Sequence, residues 1–170
     1  QGMALVYANL VGAQDELVFD GSSFVLDANG EVRAQLTSFA EDFALVSFDD
    51  GQPQALPLPA PLSIEAQVYA ALVLGVRDYV GKNGFPGAII GLSGGVDSAL
   101  TLAIAVDALG KDKVRAVMMP SPYTAEISWI DSRDMVNRLG VQYDEIAIAD
   151  TFDAFNHSLS PLFAGLPEDT

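Results

Sequence analysis

Residues 88–98 read Ala88-Ile89-Ile90-Gly91-Leu92-Ser93-Gly94-Gly95-Val96-Asp97-Ser98. The first five form a short apolar run with Pro86 before it and a glycine pair after it, the size of a buried parallel strand. Residues 98–109 carry apolar side chains at helical spacing, and Gly110 stands where a helix C-terminus wants one. Moving outward, the same alternation recurs. Residues 114–119 predict a second buried strand, and residues 126–139 a helix closed by Gly140. Residues 143–148 predict a third strand, after which Phe152, Phe155, Leu159 and Leu162 mark one more amphipathic helix. Strand and helix in this rhythm predict an open α/β fold with a parallel sheet and right-handed crossovers. Ligands of such sheets bind at the carboxyl ends of the strands, where Ser93 and Pro120-Ser121 fall.

Upstream the pattern changes. Ser63 is a candidate N-cap, and Ile64, Val68, Leu72, Val76 and Val80 repeat at helical spacing until Gly84-Phe85-Pro86-Gly87. Residues 51–62 contain Pro53, Pro57, Pro59 and Pro61, which predict a stiff extended connector and a domain boundary. Residues 1–50 are β-rich. There Phe24-Val25-Leu26 and Glu31-Val32 flank Asp27-Ala28-Asn29-Gly30 in the form of a hairpin with an Asn-Gly turn, and residues 43–48 predict a further strand.

Composition narrows the chemistry. The chain has 170 residues, 50% hydrophobic and 18% charged, enough for one packed domain and part of a second. No apolar run is long enough to cross a bilayer, and no basic-then-apolar leader stands at the start. Without cysteine there is no disulfide, thiolate metal site or cysteine nucleophile, which fits a cytoplasmic setting. The lone His157 excludes a site built from several imidazoles. A net charge of -15 with eight scattered basic residues argues against nucleic acid as a partner. A polyphosphate would have to be held by backbone N–H groups, a helix N-terminus and a metal ion.

The turn from strand to helix has those parts. Gly94 and Gly95 admit unusual backbone angles, so that successive N–H groups can point into one concavity. Ser93 and Ser98 bring hydroxyls. Asp97 repels phosphate unless a cation lies between them, which makes it the candidate ligand for Mg2+. A Walker-type loop is excluded because no lysine lies between Lys82 and Lys111, and the dinucleotide fingerprint needs other glycine spacings. Gly91-Leu92-Ser93-Gly94-Gly95 also matches the Gly-x-Ser-x-Gly elbow of serine hydrolases, with Asp131 or Asp150 and then His157 completing the triad order. Against it, His157 falls inside an expected helix and Asp97-Ser98 is left without a role. A bare glycine turn with no ligand is the remaining alternative.

Ser93-Gly94-Gly95-Val96-Asp97-Ser98 resembles the pyrophosphate loop of the N-type ATP pyrophosphatases, and the flanks resemble NAD synthetases among them. Met118-Met119-Pro120-Ser121-Pro122-Tyr123-Thr124, then Glu126-Ile127-Ser128 and Asp131-Ser132, carry that likeness, as do Asn137-Arg138-Leu139-Gly140 and Ile146-Ala147-Ile148. In the first half, residues 9–21 from Asn9 to Gly21 resemble the end of the nitrilase-like glutaminase domain of glutamine-dependent NAD synthetases. Ala13, Ser22 and Ala125 depart from the family pattern.

The resemblance implies an adenine nucleotide alpha-hydrolase-like, Rossmann-like sheet at residues 63–170, a Pro-rich linker at 51–62 and a nitrilase-like remnant at 1–50. It implies ATP-dependent amidation of deamido-NAD through an acyl-adenylate, with ammonia drawn from glutamine and a homo-oligomeric parent enzyme. Gly91, Leu92, Ser93, Gly94, Gly95, Val96, Asp97 and Ser98 would contact ATP phosphates, with Asp97 on Mg2+. Ser121 and the Tyr123-Thr124 stretch would contact adenosine or, equally, form a turn before the next helix. The family's glutaminase uses a Glu-Lys-Cys triad, so a chain without cysteine is expected to lack that centre. No residue here is assigned as catalytic. The expectation is an internal piece of a longer enzyme, holding the ATP loop with little else of the machinery, either active or a nucleotide-binding module without turnover. Trp129 is expected to pack or to make a subunit contact, His157 to lie at the surface or pack on its helix, and Asp15-Glu16, Asp49-Asp50 and Glu168-Asp169 to lie in solvated loops. Arg77, Lys111, Lys113 and Arg115 are expected away from the phosphate loop.

Overall fold

The computed structural model describes residues 2–166, so the Glu168-Asp169 pair lies outside the described residues. Backbone contacts divide the chain into a first unit ending at Phe85 and a second beginning at Pro86.

The first unit is built from short antiparallel strands. β1 (Leu5–Tyr7), β4 (Phe24–Leu26) and β5 (Val32–Gln35) form one sheet in the order β1-β4-β5. β2 (Val11–Gln14) pairs with β3 (Leu17–Asp20), and β6 (Phe48–Asp49) with β7 (Gln52–Pro53). The Asp15-Glu16 pair sits between β2 and β3, and Asp49-Asp50 at the turn of β6 and β7.

Two expectations need correction here. The 24–32 hairpin forms, but not through a two-residue Asn-Gly turn. Gly30 takes the left-handed position at φ 86, and the Asp27 carboxylate accepts the N–H groups of Asn29 and Glu31 at 2.8 and 3.0 Å. The register shifts at Val25/Leu26, so the loop is a longer turn with a bulge. The strand expected at 43–48 shrinks to Phe48–Asp49, and Phe43 and Leu45 stand 79% and 80% exposed. An apolar run with no neighbouring strand cannot satisfy its backbone as a sheet does.

α1 (Ile64–Lys82) starts where expected, with Ser63 Oγ accepting the Ala66 N–H at 3.2 Å. It packs against β2 and β3. The buried side is not the stripe that the spacing marked. Ile64, Val68 and Leu72 are exposed, while Leu74 is 2% exposed and Asp78 is largely covered. Asp78 Oδ2 accepts the Ala13 N–H at 2.8 Å, and Lys82 Nζ donates to the Ala13 carbonyl at 2.6 Å. One helix face thus supplies both hydrogen bonds that Ala13 would otherwise seek from another strand.

The second unit is the expected α/β fold. β8 (Ala88–Gly91), α2 (Val96–Leu109), β9 (Val114–Met118), α3 (Glu126–Leu139), β10 (Gln142–Glu145) and α4 (Ala149–Leu159) follow in order. The strands pair in parallel, with β9 between β8 and β10. Ile90, Leu92, Val114, Ala116, Val141 and Tyr143 pack with Leu102, Ala105 and Val136 of the two crossover helices. Val114 and Ala116 are 2% and 0% exposed, and at about 25 cal/mol per Å² their burial is the main stabilising term. The third strand stops at Glu145, short of the expected 148. Ile146 and Ile148 still donate N–H groups to the Met118 and Pro120 carbonyls at 2.9 and 3.0 Å.

Candidate functional site

The loop between β8 and α2 occupies the carboxyl edge of the parallel sheet. Leu92 is 4% exposed and donates its N–H to the Val117 carbonyl at 2.8 Å, so its side chain belongs to the core rather than to a ligand. Beyond it the backbone leaves the sheet. Gly94 has φ 81, and Gly95 is the N-cap of α2 without a side-chain cap. The first helical hydrogen bond runs from Ala99 N–H to Gly95 O at 3.1 Å. The N–H groups of Val96, Asp97 and Ser98 therefore have no partner inside the helix.

The two serines hold the loop in place. Ser98 Oγ accepts the Ser93 N–H at 3.2 Å and donates to Gly95 O at 3.0 Å. Ser93 Oγ accepts the Gly95 N–H at 3.3 Å and lies 3.0 Å from Ser98 Oγ. The partner of the Ser93 hydroxyl is thus another serine, and His157 sits on the last turn of α4. The hydrolase elbow finds no support in this arrangement.

Asp97, in the first turn of α2, is exposed. Among the described residues no group of three or more His, Asp or Glu side chains could hold a metal ion by itself. One exposed carboxylate beside free N–H groups still fits Mg2+, which keeps several waters and is bound through one or two carboxylates plus phosphate oxygens.

Beside the loop lies a cavity of about 260 Å³ lined by Gly91, Leu92, Ser93, Met118, Met119 and Thr124. Its second wall is the end of β9 and the segment after it, the 118–124 stretch that the sequence placed at the same strand edge as Ser93. Ser121 is not in the lining. It accepts the Tyr123 N–H at 3.2 Å and donates its own N–H to Thr124 Oγ1 at 2.9 Å, a turn immediately before α3. Tyr123 is 79% exposed and meets Phe152 edge-on, with ring centroids 5.6 Å apart.

The basic side chains of this unit lie elsewhere or are engaged. Lys111 and Lys113 fall in the 3-10 turn preceding β9, at the opposite edge of the sheet. Arg115 pairs with Asp144, which holds the Asp144 carboxyl below its usual range. Arg133 forks onto Glu145 at 2.7 and 2.9 Å and lies 5.0 Å over the Trp129 ring. That accounts for Trp129 as a packing residue. Burial, with the Glu145 carboxylate beside it, pushes the Tyr143 phenol up to about 12.

The description "NAD synthase" applies to the family model that matches residues 68–166. The chain belongs to the NAD synthase family. The glutamine-dependent NAD(+) synthetase of Acinetobacter baylyi is 48% identical over 167 residues, covering 97% of this chain and 31% of that protein. The enzyme of the same description from Xylella fastidiosa is 45% identical over 172 residues, 99% of this chain and 32% of that protein. The chain thus spans about a third of the length of the curated relatives it matches. Among solved structures, the glutamine-dependent NAD+ synthetase from Acinetobacter baumannii, in complex with adenosine diphosphate, superposes with a TM-score of 0.95 at 45% identity. That match covers 99% of this chain and 32% of that one. A glutamine-dependent NAD(+) synthetase from Cytophaga hutchinsonii shares the fold at 15% identity, with a TM-score of 0.77. The NAD synthase match begins inside α1, whereas the compact units divide after Phe85.

Proposed function

We propose that residues 91–98 are the pyrophosphate seat for MgATP in an enzyme that makes NAD from deamido-NAD. The observation that carries this is the loop itself, where Gly94 at φ 81 leads into a helix whose first N–H groups are open to an anion. Membership in the NAD synthase family and the adenosine diphosphate complex of the Acinetobacter baumannii enzyme support it.

In the proposed reaction a nicotinate carboxylate oxygen bonds to the α-phosphorus of ATP, and the bond to the leaving pyrophosphate breaks. Ammonia then attacks the acyl carbon of the adenylate, AMP departs with the electron pair of the broken acyl–oxygen bond, and the nitrogen loses a proton to solvent to leave the amide. The chain's own contribution is positional. The open N–H groups of Val96, Asp97 and Ser98 would hold the negative charge that grows on pyrophosphate, from positions already set by the Ser93–Gly95–Ser98 hydrogen bonds. Asp97 would hold Mg2+, whose chemistry is to neutralise phosphate charge. Leu92 acts by anchoring the loop to β9 rather than by donating to phosphate, and the Met118, Met119 and Thr124 wall offers an apolar face to adenosine, with Ser121 shaping the turn behind it.

The nitrilase-like remnant (1–50), the linker (51–62) and the nucleotide-binding portion (63–170) form the domain organisation of this reading. A cytoplasmic, homo-oligomeric parent enzyme fed with ammonia from glutamine belongs to it as well. The cations of this unit, either away from the loop or already paired with carboxylates, favour a second outcome for this chain alone, nucleotide binding without turnover. The two separate in one assay, in which the chain is incubated with MgATP and deamido-NAD, with and without ammonia, and pyrophosphate, AMP and NAD are followed. Pyrophosphate and NAD formation supports the enzyme, and binding alone the module. Glutamine hydrolysis by this chain would contradict the assignment of the glutaminase centre to other sequence.

A further inference from the structure

We propose that Ser128, in the first turn of α3, is a positioning residue that seats the phosphate loop through Gly94. Its consequence for nucleotide rests on the function proposed above. A Cβ placed on Gly94 would lie 2.5 Å from Ser128 Cα and 2.7 Å from both its Cβ and its carbonyl oxygen. The three nearest atoms to that position all belong to this one residue, so the loop backbone lies flat on the helix with no room for a side chain.

The rest of the loop has other anchors. Leu92 is tied to β9 through the Val117 carbonyl, and Ser93 and Gly95 are tied to Ser98. Gly94 is the link between them, and it holds a left-handed φ of 81 while leaning on Ser128. Ser128 is itself fixed, because its N–H donates to the Ala125 carbonyl at 3.0 Å at the start of α3. A bulkier residue there would lift Gly94 and swing the following amides out of convergence. The Ser128 Cα and carbonyl oxygen demand glycine at 94, the equally close Ser128 Cβ puts the side chain of residue 128 beside the loop, and the loop's shape depends on a helix more than thirty positions along the chain.

The test compares Ser128→Val, Ser128→Ala and Val136→Ala in the full chain. Valine places methyl groups at both γ positions that a helix allows, so the added bulk cannot all turn from the loop. Alanine keeps the Cβ contact and removes only the hydroxyl. Val136→Ala opens the core, where Val136 is 4% exposed, without touching the loop. Amide hydrogen exchange at Ser93 and Gly95, the hydrogen-bonded amides of the loop, is measured without ligand, and MgATP affinity by calorimetry. Ser128→Val is expected to speed exchange at Ser93 and Gly95 and weaken MgATP by roughly tenfold or more. Ser128→Ala should match the native chain in both, and Val136→Ala should lower Tm with affinity retained. Native exchange in Ser128→Val overturns the proposal, as does an equal loss of affinity in Val136→Ala at the same Tm. A native chain that does not bind MgATP would refute the nucleotide reading, and the exchange rates would still decide the role of Ser128.

Discussion

The unit ending at Phe85 and the unit beginning at Pro86 differ in how much they rely on carboxylates to satisfy backbone N–H groups that no strand or helix pairs. In the first, carboxylates do it. Asp27 takes the N–H groups of Asn29 and Glu31, Asp42 those of Thr37 and Phe43, and Asp78 that of Ala13. Each of these carboxyls is held below its usual range. For Asp27 the main cause is the Glu31 N–H and for Asp42 the Thr37 N–H. For Asp78 burial pushes upward, and is outweighed by the Ala13 N–H and the Lys82 ammonium. In the second unit the β8–α2 loop is tied by hydroxyls and a glycine, and the N–H groups at the start of α2 meet no internal anion. The first unit shows what such amides do to a carboxylate. The second leaves the same capacity open to an anion from outside.

The contrast can be broken first at Gly94. Gly94→Ala forces a Cβ into Ser128 and imposes a left-handed φ on alanine, and it should cost about 3 kcal/mol in a urea titration. Stability within 0.5 kcal/mol of native, an about-zero effect by surface standards, would show that the loop yields freely. Next is Asp78→Ala, which leaves the half-covered Ala13 N–H and the Lys82 ammonium without their partner. The expected loss is about 2 kcal/mol by the same titration.

Acid sharpens the comparison without mutation. Asp27, Asp42 and Asp78 have folded pKa values below their unfolded ones, so their stabilisation is complete above about pH 4 and fades as pH falls through the folded values. Amides of the first unit should accordingly lose hydrogen-exchange protection as pH falls from about 4 towards 2, and the Asp78→Asn variant should lose less. The smallest expected effect has the opposite sign. Ser132 is 1% exposed, and its Oγ has no hydrogen-bond partner among the described residues. Ser132→Ala should therefore stabilise by about 1 kcal/mol, and a destabilised variant would reveal a partner for that hydroxyl.

The two units were not equally legible in the sequence. Residues 126–139 form a helix over the whole predicted span, closed by a left-handed Gly140, although Ala125 supplies no side-chain cap at its start. The loop at 93–98 was legible because its glycines, serines and Asp97 are neighbours in the chain. What sequence pattern missed depends on distant partners. Val11-Gly12-Ala13-Gln14 has little alternation, and its strand is supported by Asp78 and Lys82 from α1. Phe43-Ala44-Leu45-Val46 has strand propensity but meets no strand to pair with. In the site, residues 118–124 were legible at the strand edge beside Ser93, whereas the seat at Ser128 exists because α3 returns to the end of β8. Motif spacing carries no record of that return.

The most direct test of the central claim is isothermal calorimetry of MgATP binding to the native chain, to Asp97→Ala and to Asp27→Ala. Asp97 stands beside open amides and Asp27 already occupies its own. Binding that is present in the native chain and in Asp27→Ala, and weakened about tenfold or more in Asp97→Ala, is the predicted result. MgATP binding unaffected by Asp97→Ala, or absent from the native chain, would contradict it.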